Sequence, residues 1–285
     1  MNMPEFHNED IAAYYVNCEN HYRHWWDLDR SMAMHAGFWD ANVTCLHEAL
    51  RKENEVLAAL ARISAQDRVL DAGCGVGGSS IFLAATLGCR VTGITLSERQ
   101  AEQAAAHAKK KGVEGLTGFS VMDYAATSFP DQAFDVVWGC ESICYADDKS
   151  QFIKEAFRLL KPGGRLVVAD GFVNHFENNQ HPVIRHWLDG WQVNYLETPE
   201  RFAGFMQAAG FKGNEYRDIS AEVMHSSRKL YRTYFLARLY LLWRKISLSK
   251  PPTVMQKKNI YACKYQYLGM KRHLWQYGII KGIKP

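Results

Sequence analysis

The sequence lacks any apolar run that approaches the ~20 residues of a membrane-spanning helix. Its most hydrophobic late stretch, Tyr234 to Trp243, is short and contains Arg238. The first ten residues are polar and acidic, unlike the apolar core of a signal peptide. We therefore expect a protein without a membrane span and a cytoplasmic location.

Metal-binding and disulfide motifs are also missing. The seven cysteines are odd in number and include no Cys-x-x-Cys pair, while Cys74 and Cys89 fall within apolar strand-like runs. Cysteine in such runs acts as a small hydrophobe, which indicates a reducing compartment without structural disulfides. His175, His181 and His186 do not have the spacing of a zinc motif, so we predict no metal ligands.

The sequence also has no large excess of charge of one sign, because 34 Lys and Arg against 30 Asp and Glu give a net charge of only +4. The short runs Lys109–Lys111 and Lys257–Lys258 are typical of solvated helix ends. The sequence therefore predicts no nucleic-acid partner. It leaves the oligomeric state open, a homo-oligomer included.

What the sequence does contain is an alternation of apolar strand-like runs with helical patterns. The runs cover residues 68–72, 89–94, 116–122, 134–139 and 165–170. Five strands alternating with helices predict a parallel, doubly wound sheet. In such a sheet ligands bind in the crevice at the carboxyl ends of the strands.

The flanking segments complete the predicted architecture. Residues 1–45 are irregular and aromatic, and we interpret them as a lid or substrate segment. Weaker strands near 214–219 and 273–283 belong with the core of 46–222 and 271–285, and the helical patterns of 223–270 form a cap insertion. We thus predict an α/β fold with a Rossmann-like, mostly parallel, seven-stranded sheet, helices on both faces, an N-terminal aromatic segment and a C-terminal helical cap.

A glycine-rich loop follows the first strand and opens a helix. The stretch from Asp71 to Ser80 matches both GxGxG, at Gly73, Gly75 and Gly77, and the dinucleotide spacing GxGxxG, which ends at Gly78. Glycines there let a ligand approach the backbone closely, and the helix start offers free N–H groups. The loop alone leaves two cofactor classes open.

The residues around the loop separate these classes. Asp71 precedes the first glycine by two residues, and its carboxylate suits a cationic amino-acid ligand but repels a pyrophosphate. The second strand is followed by Thr95, without the acid that usually binds the ribose of NAD. Both features disfavour an NAD(P)-binding oxidoreductase, which is retained as an alternative.

Four stretches in order, VLDAGCGVGGSS, VTGITLS, MDYAATSFPDQAFDVVWGCES and LKPGG, resemble class I S-adenosylmethionine (SAM)-dependent methyltransferases. More narrowly they are similar to the tocopherol, sterol and prenyl-diphosphate C-methyltransferases. The resemblance covers about residues 65–175, and His35 to Trp39 resembles a further "HHGFY"-type segment of that group. It implies methyl transfer from SAM to a small organic molecule of secondary metabolism, with S-adenosylhomocysteine as product, and Mg²⁺ only for a diphosphate acceptor.

The resemblance also implies residue roles. Gly73, Gly75 and Gly77 would line the methionine part of SAM, with Asp71 orienting its amino group. The remaining cofactor contacts would be Thr95, Leu96 and Gln100 at the ribose and adenosine, Asp123 at the adenine amino group with Tyr124 beside it, and Cys140 on the floor.

For the acceptor, Glu141 would act as base or cation stabiliser, assisted by Tyr145. Phe38, Trp39 and His186 would contact the substrate. We therefore expect C-methylation of an isoprenoid-like or other apolar small molecule. N-methylation of an amine or alkaloid-like molecule and a non-catalytic SAM-binding module are the alternatives.

Overall fold

The computed structural model describes residues 5–246 and 251–285, with only the backbone for residues 244–246. Its centre is one seven-stranded sheet. The strands are β1 Arg68–Ala72, β2 Arg90–Thr95, β3 Thr117–Val121, β4 Phe134–Cys140, β5 Leu160–Val173, β6 Lys212–Asp218 and β7 Trp275–Ile283.

Helices precede, connect and cover these strands. They are α1 Asn8–Trp26, α2 Leu28–Ser31, α3 Leu46–Leu60, α4 Gly78–Leu87, α5 Glu98–Lys111, α6 Lys149–Leu159, α7 Pro182–Trp191, α8 Pro199–Ala209, α9 Ser220–Ile246 and α10 Val254–Lys271. Short 3-10 helices cover Ile143–Tyr145 and Phe176–Gln180.

The strand order is β3-β2-β1-β4-β5-β7-β6. All neighbours from β3 to β5 pair in parallel, whereas β7 runs antiparallel to both β5 and β6. The chain order reverses between β1 and β4, which opens a crevice beyond their carboxyl ends. The predicted Rossmann-like, mostly parallel, seven-stranded fold is confirmed.

Local signals set several helix starts where the sequence indicates them. The Ser97 hydroxyl accepts from the Gln100 N–H at the start of α5, and Thr198 caps α8 ahead of Pro199. The strand β5 begins earlier than predicted, because the Lys161–Gly164 stretch continues it as an irregularity. Pairing with β4 shifts there between Phe134 and Val136.

The N-terminal segment differs from the irregular segment that we predicted. Residues 8–26 form α1 because Ile11, Tyr14 and Cys18 recur at helical spacing, and all three are buried. The helix α7 was likewise not predicted, although its start carries Pro182 directly after the capping residue His181. Both helices lie above the crevice.

Two long helices lie between β6 and β7, where the sequence indicates a cap. The helix α10 packs against α7, α9 and α1, so these four helices form one layer over the carboxyl ends of the strands. Within the described ranges, none of the helices combines the length and the apolar character that crossing a membrane requires.

Candidate active site

A large cavity lies at the carboxyl ends of the central strands. It encloses about 1890 Å³, open solvent at its mouth included. Its walls are the glycine loop, the end of β2, the segment after β4, residues of α1 and of 32–36, and the inner faces of α7, α9 and α10. The cavity therefore connects the predicted cofactor loop with the predicted cap.

The glycine loop is covered closely by two other segments. A Cβ on Gly73 would lie 2.4 Å from the Cβ of Ser142, and one on Gly78 would lie 2.1 Å from the Met32 carbonyl oxygen. Gly73 also has a φ of +88°, which side chains rarely adopt. Glycine is required at both positions, since the loop and its neighbours share this space.

Not all of the predicted loop residues line the cavity. Asp71, Gly73 and Gly75 line the cavity, whereas Gly77 packs against α5, where an added Cβ would meet the Ala104 Cβ at 2.8 Å. The Asp71 carboxylate accepts a 2.6 Å hydrogen bond from the Ser80 hydroxyl. Burial raises the pKa of Asp71 to about 6.

Most, but not all, of the residues predicted to bind the nucleoside part of the cofactor also line the cavity. Thr95, Leu96 and Gln100 line the cavity, and the Thr95 hydroxyl donates to Gln100 Oε1 at 2.7 Å. Tyr124 also lines it. Asp123 does not, because its carboxylate is held outside the cavity by hydrogen bonds from Asn8 Nδ2 at 2.9 Å and the Ala125 N–H at 2.8 Å.

Glu141 lies directly after β4 and lines the cavity. Its backbone is left-handed, with a φ of 49°, and its N–H donates to the Ala169 carbonyl at 2.8 Å. The carboxylate accepts a hydrogen bond from the Ala36 N–H, and its Oε1 lies 2.9 Å from the Tyr277 hydroxyl. Glu141 is thus fixed from three separate parts of the chain.

A second carboxylate shares the Tyr277 hydroxyl. Glu53 Oε1 lies 2.6 Å from that oxygen, and Glu53 Oε2 accepts from the Gly37 N–H at 2.7 Å and lies 2.6 Å from His35 Nδ1. One hydroxyl carries one proton, so Tyr277 can donate to only one of the two acids. The other acid must supply its own proton.

The electrostatics decide which acid is protonated. Burial and the nearby charge of Glu53 raise the pKa of Glu141 well above its usual value. Burial acts the same way on Glu53, but its contacts with His35, Tyr277 and Gly37 outweigh it and lower the pKa of Glu53. The surroundings therefore favour the ionised form of Glu53, to which Tyr277 donates, and disfavour the ionised form of Glu141.

Glu53 and Tyr277 were not among the site residues predicted from the sequence. A signal for Glu53 exists, since it occupies the buried helical stripe of α3 with Leu46, Leu50 and Leu57. An acid in an apolar stripe needs partners, which makes it informative. Tyr277 stands in an apolar strand, where the sequence gives no comparable signal.

Further titratable groups line the same cavity. Asp170, at the end of the parallel part of β5, accepts from the Cys144 N–H at 2.8 Å, and burial raises its pKa to about 6. Tyr145 and Cys140 also line the cavity, and the Tyr145 ring lies 5.8 Å from that of Tyr15 on α1. The helix α1 therefore brings a phenol to the site.

Three residues predicted to contact substrate lie outside the cavity. Phe38 packs into the core, and Trp39 stacks on His225 at 3.9 Å while its indole N–H donates to the Ser226 hydroxyl. His186 faces outward and stacks on Tyr265 at 4.6 Å. Competing packing partners hold all three rings away from the crevice.

Other aromatic side chains line the cavity instead. Trp187, next to His186, lines it with Trp191, and neither indole N–H has a hydrogen-bond partner within the described parts of the chain. Further rings complete the wall: Tyr15, Tyr22, Trp25, Trp26, Tyr145, Tyr234, Trp275 and Tyr277. This chamber suits an apolar or cationic ligand.

Lysine and arginine side chains are absent from the cavity wall over residues 5–243 and 251–285. The basic group Arg228, Lys229 and Arg232 on α9 does not reach it. Lys229, for example, lies over the Trp26 ring at 5.5 Å. An anionic acceptor such as a diphosphate would find no counter-charge in this part of the chain.

One group of potential metal ligands occurs in the described ranges. Ligand atoms of His35, Glu53 and Cys140 lie within 4.8 Å of one another. Both Glu53 oxygens already bind Tyr277, Gly37 and His35, so the carboxylate is satisfied without an ion. Mg²⁺, which prefers several oxygen ligands, does not fit a Cys and His set.

The cofactor implied by the resemblance does fit. It combines a cationic sulfonium and an amino acid with an adenosine. The cavity offers the carboxylates of Asp71, Asp170 and Glu141 to positive charge, and glycines where the backbone must be approached closely. Thr95 and Gln100 offer polar atoms on the nucleoside side.

Comparison with known proteins gives a consistent picture. A family model described as a methyltransferase domain matches residues 70–168. The 2-methyl-6-phytyl-1,4-hydroquinone methyltransferase of Synechocystis sp. is 42% identical over 149 residues, which are 50% of this chain and 45% of that protein. Methyltransferase GfsG of Streptomyces halstedii is 30% identical over 192 residues, which are 66% of this chain and 69% of that protein.

The chain thus spans about half the length of the first curated relatives that it matches. Among solved structures, a geranyl diphosphate methyltransferase in complex with geranyl diphosphate and sinefungin has a TM-score of 0.76 at 21% identity. That similarity covers 98% of this chain and 99% of the other. At this identity it establishes the shared fold alone.

Proposed function

Because this chain belongs to the class I S-adenosylmethionine-dependent methyltransferases, we propose that it methylates an uncharged, largely apolar small molecule. The preferred reaction is C-methylation of an isoprenoid-like acceptor. One observation carries the proposal: Glu141 lies where the glycine loop meets an aromatic chamber whose described lining contains no Lys or Arg. Loop, acid and chamber form one continuous cavity.

The proposed cofactor site uses residues that already line the cavity. Bound there, SAM would supply the electrophilic methyl group. Asp71 would face the amino group, Gly73 and Gly75 would allow close approach, and Thr95 with Gln100 would contact the ribose. Asp123 is proposed at the adenine only if Asn8 releases its carboxylate, since that contact now holds it outside.

The proposed role of Glu141 follows from proton balance. When a double-bond carbon of the acceptor attacks the methyl group, a C–C bond forms, the S–CH₃ bond breaks and the acceptor becomes a cation. When Glu141 is ionised, loss of a proton from the acceptor to a Glu141 oxygen restores the double bond and leaves the acid protonated. The surrounding rings, among them Trp187 and Tyr145, would stabilise the cation through their faces and exclude water.

The acceptor class follows from the charges on the cavity wall. A diphosphate would bring negative charge to a chamber that holds Asp71, Glu141 and Asp170 but no described Lys or Arg. Mg²⁺ would be needed to offset that charge, and the acids are engaged in internal hydrogen bonds. An uncharged acceptor, such as a prenylated ring like the one in the name of the Synechocystis relative, avoids both costs.

An amine acceptor is the second candidate, because carboxylates and aromatic faces also attract cations. The two reactions differ in their need for a base. A neutral amine attacks through its own lone pair, so its methylation would proceed without Glu141. A C-methylation would not.

Titration calorimetry with S-adenosylhomocysteine tests the cofactor half of the proposal. We expect micromolar binding. Asp71→Asn removes the negative charge that faces the ligand's amino group, and it should weaken binding at least about tenfold, a loss of about 1.4 kcal/mol or more. NADH should give no heat. An acceptor screen with isotopically labelled SAM would then compare prenylated quinols, geranyl diphosphate with and without Mg²⁺, and small amines. Incorporation into the diphosphate alone would overturn the uncharged-acceptor assignment.

The pH profile should report the pair formed by Glu53 and Glu141. A proton acceptor works only when ionised, so the rate of methyl transfer should rise with pH through the raised pKa of Glu141. Glu53→Gln removes a like charge, lowers that pKa, and should move the rise to lower pH by about one unit or more. Single-turnover rates between pH 5 and pH 9 would measure it.

The control for this experiment lies on the same helix. Glu55 pairs with Arg51 near the surface of α3, so Glu55→Gln should leave the profile unchanged. An unshifted profile in Glu53→Gln would mean that Glu53 does not set the protonation of Glu141.

A further inference from the structure

The C-terminal part of the chain has an unusual charge distribution. All 30 acidic residues lie at or before Glu222, and 14 of the 34 Lys and Arg residues follow it. The last 63 residues therefore carry +14, while the first 222 carry −10. The modest net charge conceals one strongly basic region, which contains nearly all of α9 and all of α10.

Exposed apolar side chains concentrate in the same region. Eight of the eleven large hydrophobic side chains that are exposed in the described residues lie on α9 and α10. These eight, here called the apolar tip, are Phe235, Leu236, Leu239, Tyr240, Leu242, Trp243, Val254 and Tyr261. Leu239 and Val254 are 66% and 70% exposed, which is far from core packing.

The apolar tip is not the back of an ordinary amphipathic helix. Tyr234 and Ala237 face the cavity and α10, and Leu241 packs on the same cluster. The opposite sides of these turns, at Leu236 and Leu239, are equally apolar. Large apolar side chains on a face that is not packed indicate contact with an apolar partner or surface.

Basic residues flank the apolar tip. Arg238 is exposed between the leucines of α9, and Lys257 and Lys258 are exposed on the first turns of α10. Exposed leucines and tryptophan beside lysine and arginine, in a stretch of sequence that has no acid after Glu222, are the pattern of a helix that lies in a membrane interface. A nucleic-acid surface would use the basic residues but leave the leucines in water.

We propose that the apolar tip of α9 and α10 docks on the surface of a bilayer that contains anionic phospholipid. The helices lie on the bilayer and do not cross it. Since their inner faces line the cavity at Tyr234, Ala237 and Ile260, docking brings the cavity wall next to the hydrocarbon in which an apolar acceptor dissolves. The docking surface is a property of the chain that does not depend on the methyl acceptor proposed above.

Sedimentation of the full chain with vesicles tests the proposal. We expect binding to vesicles of phosphatidylglycerol and phosphatidylcholine, weak binding to phosphatidylcholine alone, and loss of binding as salt is raised. Lys257→Gln with Lys258→Gln should weaken binding about 25-fold, from about fivefold for each basic residue. Leu239→Ser with Leu242→Ser should weaken it at least about tenfold, because two leucines no longer enter the interface.

Matched variants elsewhere provide the controls. Lys109→Gln with Lys110→Gln removes two lysines at the end of α5, and Val121→Ser removes an exposed apolar side chain on β3. Both should bind vesicles like the parent, and all variants should keep S-adenosylhomocysteine binding and melting temperature.

Three results would overturn the proposal. The first is vesicle binding that the α9 and α10 variants leave unchanged. The second is no vesicle binding together with a dimer in light scattering that Leu239→Ser with Leu242→Ser dissolves, which would assign the apolar tip to a second copy. The third is salt-sensitive binding to DNA in place of vesicles.

Discussion

Glu141→Gln is expected to lower the rate of methyl transfer to a carbon acceptor by about 10²- to 10⁴-fold, the usual contribution of a positioned acid or base. Gln keeps the shape of the side chain, and its oxygen in the place of Oε1 can still accept from the Ala36 N–H. The variant therefore removes the proton acceptor without opening a cavity. Single-turnover rates with labelled SAM would measure the loss.

Two further readouts separate chemistry from folding in this variant. S-adenosylhomocysteine affinity should change less than about threefold, and the control Glu102→Gln, an exposed residue of α5, should behave like the parent. A rate within threefold of the parent would exclude Glu141 as the proton acceptor. Full activity on an amine, with the carbon acceptor inactive, would point to the second candidate reaction.

The same variant carries a stability signature. Because burial and Glu53 raise the pKa of Glu141, the folded protein keeps a proton that the unfolded chain has released. In the pH range from the usual glutamate pKa up to the raised value, the free energy of unfolding therefore falls as pH rises. Gln cannot titrate, so the variant should show a flatter dependence there and gain stability relative to the parent.

The sequence was sufficient for the features that depend on local pattern. Strands such as Phe134–Cys140 are short apolar runs between breakers, and caps such as Ser97 and Thr198 act on the next turn of their own helix. The parallel pairing of β1 to β5 follows from the alternation of these strands with helices. The glycine loop and Glu141 are likewise at strand ends, and strand ends meet at one edge.

Side-chain direction and long-range pairing could not be predicted in this way. Glu53 meets Glu141 only through Tyr277, which is 224 residues further along the chain, and no local pattern encodes that contact. The segment that contains Phe38 lies beside Glu141, since the Ala36 N–H binds that acid. The rings of Phe38 and Trp39, however, turn toward the core and α9. Trp187 enters the cavity and His186 does not, because adjacent residues of a helix point in different directions.

Gly73→Ala is expected to lower both the stability of the protein and its affinity for the cofactor product. The substitution combines a left-handed backbone, at about 1–2 kcal/mol, with a contact of 2.4 Å to Ser142, where overpacking costs about 1–3 kcal/mol. Ser142 cannot move freely, because its hydroxyl donates to the Ala72 carbonyl and its own carbonyl accepts from Tyr124. Displacing it also moves Glu141, its chain neighbour. We expect a loss of about 2–5 kcal/mol in denaturant unfolding, with S-adenosylhomocysteine binding lost in calorimetry.

Gly163→Ala isolates the backbone contribution to that loss. Gly163 has a similar φ of +76°, but an added Cβ would have no neighbour within 4 Å. This control should therefore lose only the backbone cost of about 1–2 kcal/mol and bind S-adenosylhomocysteine like the parent. Equal destabilisation of the two variants would mean that Ser142 gives way to the methyl group. Intact ligand binding in Gly73→Ala would then remove the loop from the proposed cofactor site, since no ligand would need the close approach that glycine allows there.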